Sequence, residues 1–239
     1  LLFLGIFPYF AKFCKFFFVL ALKLVYTLAI ATQTPRKPKM TNPTIKHRYT
    51  GAVLFEGEAG MTTRQMLEKA TENKVILYGA SLDGASLNGA SLNGARLVGA
   101  SLDGASLVGA SLDRASLDGA SLVGASLDGA SLVGASLDRA SLDGASLVGA
   151  ILSFGKAIGS RPYFAIGPIG SRCDYAKLWI TDKGPFVQAG CFTGTIDKFE
   201  AACIETHGDT DHGKEYAMAV LMFEAHANLW TPNQLEIAK

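Results

Sequence analysis

The densest cluster of groups able to do chemistry is THGDTDHGKEY, in which His207, Asp209, Asp211 and His212 fall within six residues. Imidazole and carboxylate both ligate divalent cations, which makes these four weak candidate metal ligands. An architectural account competes with that one: Gly208 ends one helix, Asp209 or Asp211 caps the next, and both histidines stay solvated. The residue order fits no zinc-enzyme pattern, and His226 belongs to no H-E-x-x-H motif. Gly167-Pro168-Ile169-Gly170-Ser171-Arg172 lacks both the Lys-Ser/Thr of a phosphate-gripping loop and the glycine spacing of a dinucleotide fingerprint. It reads as a Gly/Pro turn entering a strand. No G-x-S-x-G, catalytic Cys/His signature or kinase set occurs. The sequence therefore offers no catalytic or cofactor-binding residues, and the chain reads as a non-enzyme without a cofactor.

Cysteine usage adds little. Cys14, Cys173, Cys191 and Cys203 show neither C-x-x-C nor zinc-ligand spacing. They read as buried or free thiols, with Cys173 and Cys191 able to bridge neighbouring strands in an exported protein.

The elements that must hold such residues differ sharply along the chain. Its 239 residues allow one or two domains, and a hydrophobic content of 49% supports a buried core. Residues 1–39 carry Lys12, Lys15, Lys23, Arg36, Lys37 and Lys39 with no acid, whereas residues 40–239 carry 16 basic and 21 acidic side chains. This basic, apolar leader has three readings: upstream sequence preceding a start at Met40, a membrane anchor, or a signal cleaved after Ala29-Ile30-Ala31. Lys12, Lys15 and Lys23 interrupt its apolar run, and a charge near a bilayer centre costs roughly 2.5–3.5 kcal/mol on insertion scales. A start at Met40 implies a cytoplasmic protein. The other readings imply a single-pass anchored or an exported one.

Residues 75–154 are sixteen consecutive pentapeptides. Their centres are Leu77, Leu82, Leu87, Leu92, Leu97, Leu102, Leu107, Leu112, Leu117, Leu122, Leu127, Leu132, Leu137, Leu142, Leu147 and Leu152. Two positions earlier stands Ala, from Ala80 to Ala150, with Val75 in the first unit. A straight strand would send successive leucines to opposite faces, because five is odd and the side-chain period is two. A helix would rotate them by about 140° each time and scatter them around its surface. A chain that turns about 90° in every unit aims all of them at one axis. Four units then close a coil of twenty residues, and coils stacked at the strand spacing of about 4.8 Å make a column about 19 Å tall. Gly at the corners tolerates the turn dihedrals, while Ser and Asp are expected to face water.

This pattern resembles the pentapeptide repeat family and its loose Ala-[Asp/Asn]-Leu-x-x motif, as in Ala80-Ser81-Leu82-Asp83-Gly84. The resemblance covers about a third of the chain and implies a right-handed quadrilateral β-helix. Ser replaces the usual Asp or Asn before most central leucines, as at Ser81, Ser101 and Ser126, and Arg96 does so once. Some family members mimic duplex DNA and protect topoisomerases. Here seven Asp stand against Arg96, Arg114 and Arg139, well short of the duplex density of about one charge per 1.7 Å. With no basic stripe, direct nucleic-acid binding is not expected either. Residues 101–125 recur unchanged as 126–150. That duplication is five units long, so the copy is rotated by one face relative to its parent.

An open solenoid needs caps. KHRYTGAVLFEGEAG reads as strand and turn, followed by a helix from near Thr62 or Thr63 whose Met66 and Leu67 cover the first coil. After Phe154, strands are predicted at Ala176 to Thr181 and Pro185 to Phe192, joined by a turn at Asp182-Lys183-Gly184. A helix from near Thr195 to Gly208 should bury Ile196, Phe199 and Cys203. A second, from about Lys214, carries Tyr216, Val220, Phe223, Ala227 and Trp230 on one face. This segment is similar to the tail of some bacterial and prophage-encoded pentapeptide repeat proteins, through Gly167 to Arg172, Gly190-Cys191-Phe192 and Thr206-His207-Gly208-Asp209. The resemblance implies no activity. The organisation predicted is thus a leader over 1–39, a cap over 40–74, a mainly β solenoid of about four coils over 75–154 and a small α+β domain over 155–239. The functional reading is a structural, protein-interaction scaffold with an unidentified protein partner. A homodimer remains possible, and a membrane is a partner only for a genuine anchor. The alternatives are topoisomerase protection by DNA mimicry and a metal-dependent activity in the C-terminal domain.

Overall fold

The computed structural model describes residues 42–232. The leader predicted over residues 1–39, with Cys14 and the start at Met40, lies outside that range.

Each pentapeptide closes a tight turn. The Ala85 N–H donates to the Leu82 carbonyl at 3.0 Å, and Gly84 between them sits at φ +64°. A residue with positive φ at this place in a four-residue turn favours glycine, which has no Cβ to clash. Arg114 and Arg139 occupy the same slot at φ +57°, a conformation that costs a residue with a side chain roughly 1–2 kcal/mol. Repetition of the bend stacks each residue on the one twenty positions further along. Parallel bridges join Ser81 to Ser101, Ser101 to Ser121 and Ser121 to Ser141, so four pentapeptides make one coil. The Leu82 N–H donates to the Ser101 carbonyl and the Ser101 N–H donates back to the Ala80 carbonyl, both at 2.8 Å. Backbone groups are satisfied by the neighbouring coil, so the interior can stay dry. All sixteen central leucines lie inside, none more than 6% exposed, and they share one core with the alanines.

The first coil is covered by an antiparallel hairpin, β1 (Thr44–Lys46) and β2 (Val53–Glu56), and by helix α1 (Thr63–Glu72). The Ser81 N–H donates to the Lys46 carbonyl at 2.8 Å, which extends the ladder by one strand. Thr62 and Gln65 form a reciprocal capping box that starts α1. Met66, Leu67 and Ala70 close the axis. The helix also satisfies the open edge: Arg64 donates to the Asn88 and Gly89 carbonyls at 2.9 and 2.8 Å, and Glu68 accepts from the Ser91 N–H at 3.0 Å.

Beyond the last coil, β3 (Ile151–Leu152) and β4 (Gly155–Lys156) form a short hairpin. A four-stranded antiparallel sheet follows in the order β5 (Tyr163–Ile169), β6 (Asp174–Thr181), β7 (Gly184–Ala189) and β8 (Phe192–Gly194). Helices α2 (Ile196–His207) and α3 (Asp211–Trp230) pack on it. Two strands were predicted here and four are present. Pro168 disguises β5, which keeps its pairing by a register shift between Ile166 and Ile169. The turn predicted within the Gly-Pro stretch occupies its second half and leads into β6 as expected, with the Cys173 N–H donating to the Gly170 carbonyl, while Gly167 to Ile169 belong to β5. The single strand predicted to reach Phe192 is broken at Gly190, whose φ of +56° turns the chain into β8. Both helices occupy the predicted segments, but α3 starts earlier, because Thr210 rather than Asp209 or Asp211 is its cap, accepting from the Gly213 N–H at 3.2 Å.

Alternation along β6 joins the two halves. Ala176 and Leu178 face the helices, whereas Trp179, fully buried, belongs to the core of the coils. Lys177, only 4% exposed, donates to the Leu137 carbonyl at 2.6 Å. Trp179 packs on Tyr163 and Phe154 at centroid distances of 4.8 and 6.2 Å.

Candidate functional site

Side chains beside the leucines do structural work along the coils. Asn88 Oδ1 accepts from the Ser106 hydroxyl and the Val108 N–H, and Asn93 Oδ1 does the same for Ser111 and the Asp113 N–H. Asp103, Asp113, Asp118 and Asp128 repeat the arrangement toward Ser121, Ser131, Ser136 and Ser146. The serines were expected simply to face water. Most are instead half-buried, and six of the thirteen, Ser106, Ser111, Ser121, Ser131, Ser136 and Ser146, donate to the coil before them, where the stack places the hydroxyl beneath a carboxylate or amide oxygen.

The four candidate metal ligands do not converge. His207 ends α2 and stacks on Tyr216 at 5.2 Å and 28°. Asp209 lies exposed in the turn, Asp211 pairs with Lys214 at 3.1 Å, and His212 Nδ1 lies 3.5 Å from Glu215 Oε2. The two imidazole centroids are 6.4 Å apart. Among the described residues no group of three or more His, Cys, Asp or Glu side chains is placed to hold a metal ion. Cys173 and Cys191 are free and exposed, not bridged, while burial pushes the Cys203 thiol up to about 11.

What the fold does bring together is a cavity of about 320 Å³ between the sheet turns and the two helices. Its polar wall carries Ser171, Arg172, Thr206, His207 and Tyr216, and its apolar wall Phe192 and Phe199. Two glycines shape it. A Cβ on Gly170 would overlap the Tyr216 ring and hydroxyl, and one on Gly190 would lie 2.7 Å from Arg172 Nη1. Burial raises the Tyr216 phenol above its ordinary value, partly opposed by its hydrogen bond to Ser171. The three separated stretches Gly167 to Arg172, Gly190 to Phe192 and Thr206 to Asp209 thus meet at one place. Spacing within each stretch carries no sign of this, since the meeting depends on the β5–β6 turn, the β7–β8 turn and the end of α2 lying side by side.

A second surface stands on the outer side of α3. Ala219, Val220, Phe223 and Ala227 are buried against the sheet. Met218, Leu221, Met222 and Leu229 lie on roughly the opposite side of the helix, by about 100° per residue, and are exposed at 61, 58, 47 and 76%. Among the described residues no helix is long and apolar enough to cross a membrane.

The model of the family described as pentapeptide repeats, which spans eight copies, matches twice, over residues 80–119 and 115–153. A solved pentapeptide repeat protein of Nostoc Pcc 7120 is 35% identical over 38% of this chain and 79% of its own, with a TM-score of 0.34. Another, from the cyanobacterium Cyanothece 51142, is 34% identical over 30% of this chain and 56% of its own, with a TM-score of 0.21. A third, from the Arabidopsis thaliana thylakoid lumen, is 28% identical over 37% and 70%, with a TM-score of 0.19. No curated protein matches the chain. The family match stops at residue 153, so the cavity and the outer face of α3 both lie beyond it.

Proposed function

Given that the chain belongs to the pentapeptide repeat family, we propose that it is a non-enzymatic scaffold whose coils, right-handed as in that family, hold the C-terminal α+β domain rigidly toward a protein partner. The observation that carries this reading is α3, a helix apolar on two opposite sides of which, among the described residues, one is covered. A surface helix normally keeps a polar outer face, and a row of large exposed apolar side chains marks an interaction site. Two further observations support it. Trp179 and Lys177 anchor the sheet in the last coil, as a spacer requires. Four of the seven aspartates of the coils, Asp103, Asp113, Asp118 and Asp128, commit Oδ1 to the ladder between coils, and with three arginines beside them the acid density falls short of a duplex, which disfavours DNA mimicry.

Photo-crosslinking from the two faces of the molecule tests the proposal. Crosslinks to one partner should form from position 221 or 222, and Leu221→Glu together with Met222→Glu should abolish them while the melting temperature holds. Crosslinks that arise from the coil faces and survive this double substitution would overturn it, as would a dose-dependent effect of the chain on gyrase supercoiling that the substitution leaves intact.

A further inference from the structure

The cavity beside α2 combines one cation, several neutral donors and an aromatic wall. We propose that it binds a carboxylate attached to an aromatic or branched apolar group, either as a free acid or as the C-terminal residue of a peptide. This site is separate from the outer face of α3, and its occupancy does not depend on the scaffold reading.

Charge selects the ligand's polar end. Among the described residues Arg172 takes part in no ion pair, and its one side-chain hydrogen bond is to Cys191 Sγ at 3.9 Å. The acid on the same wall, Asp174, is already engaged: it accepts from the Tyr175 N–H at 2.8 Å and lies 4.0 Å from Arg139. Glu215 accepts from the Gly170 N–H at 2.8 Å and so braces the turn behind the cavity. An anion entering here meets the Arg172 guanidinium, which binds carboxylate through two parallel N–H donors, with the Asp174 carboxylate on the same wall facing Arg139 at 4.0 Å. The neighbouring Ser171 and Thr206 are uncharged. One fixed positive charge suits a monoanion better than a phosphate dianion.

Size and shape select the other end. Phe192 and Phe199 meet at 5.4 Å and 51°, giving a tilted aromatic surface on which a ring or branched chain gains contact area. Ile169 and Ala176 extend the apolar lining. A volume of about 320 Å³ lies at the small end of ligand sites and accommodates a single ring with a short chain. Gly190 gives Arg172 its room, since a side chain there would displace the guanidinium. Gly170 does the same for Tyr216. The two glycines therefore keep open the position at which charge and aromatic surface meet.

Calorimetric titration of the whole chain tests this, with N-acetylphenylalanine and its neutral amide as probes and a short peptide ending in Phe, free or amidated, as the second pair. The acid should bind at least about tenfold more tightly than the amide. Arg172→Met should remove most of that preference, and Arg48→Met, in the turn between β1 and β2, should leave it intact. A peptide with a free C-terminus binding about tenfold more tightly than the single residue identifies a peptide as the source, and equal binding identifies the free acid. Equal affinity for acid and amide in the unsubstituted chain, no saturation by any probe, or unchanged selectivity in a folded Arg172→Met variant would overturn the proposal.

Discussion

The coils and the α+β domain treat polar side chains in opposite ways. In the coils, Asn88, Asn93, Asp103, Asp113, Asp118 and Asp128 each accept from the serine eighteen residues on. Each acceptor therefore has an architectural partner before any ligand arrives. In the domain, Arg172 and His207 are positioned by glycine clearance and ring stacking, so their hydrogen-bonding faces stay available. Translational repetition places a partner for these side chains in the next coil. Where repetition stops, polar side chains from separate elements meet, and recognition concentrates there.

The strongest way to break this contrast is Leu112→Asp, which puts an unpaired charge on the dry axis. We expect a loss above about 4 kcal/mol and collapse of the middle coils, visible as loss of cooperative melting by circular dichroism. Melting near the parent temperature would refute the inward-facing leucines. Next comes Trp179→Ala, which removes the plug between the last coil and the sheet. A loss of about 3–5 kcal/mol is expected, with hydrogen exchange accelerating at both β6 and the last coil. If only β6 loosens, the two halves are not coupled.

Lys177→Met should cost about 0.5–1.5 kcal/mol by removing one of the two donors to the Leu137 carbonyl, which still accepts from the Ala140 N–H at 3.0 Å. The parent residue also carries a pH signature. Burial lowers the Lys177 amine below its ordinary value, opposed by Asp138, Asp174 and Asp118. Between the lowered value and the ordinary one, the unfolded chain binds more protons at this site than the native state. Stability from this group therefore rises with pH across that window, and denaturant titrations of the variant should lack the rise. The smallest effect is the sharpest test of the ladder. Asp128→Ala should cost about 0.5–1.5 kcal/mol, whereas Asp128→Asn should stay within about 0.5 kcal/mol, because Asn88 and Asn93 already fill the same role with an amide oxygen. A large loss on Asp128→Asn would mean that the charge itself matters.

The solenoid was legible because a leucine every fifth residue admits neither a straight strand nor a helix. Thr62, Met66 and Leu67 likewise announced the N-terminal cap, and Thr195 and Gly208 the ends of α2. The ladder was missed because its partners lie eighteen residues apart, a distance with meaning only after the coil length is known. Pro168 hid β5, and Gly190 hid the break between β7 and β8. The cavity was not readable from any local motif, although the stretches that form it stood out individually.

Sequence alone determined the repeating turn, since burial of one leucine per quintet leaves the backbone a single way to satisfy both its apolar and its hydrogen-bonding groups. Tertiary structure decided where Arg172, Phe192, His207 and Tyr216 meet and which side of α3 is left uncovered. These depend on the packing of one irregular sheet between the last coil and two helices, and no periodicity encodes that packing.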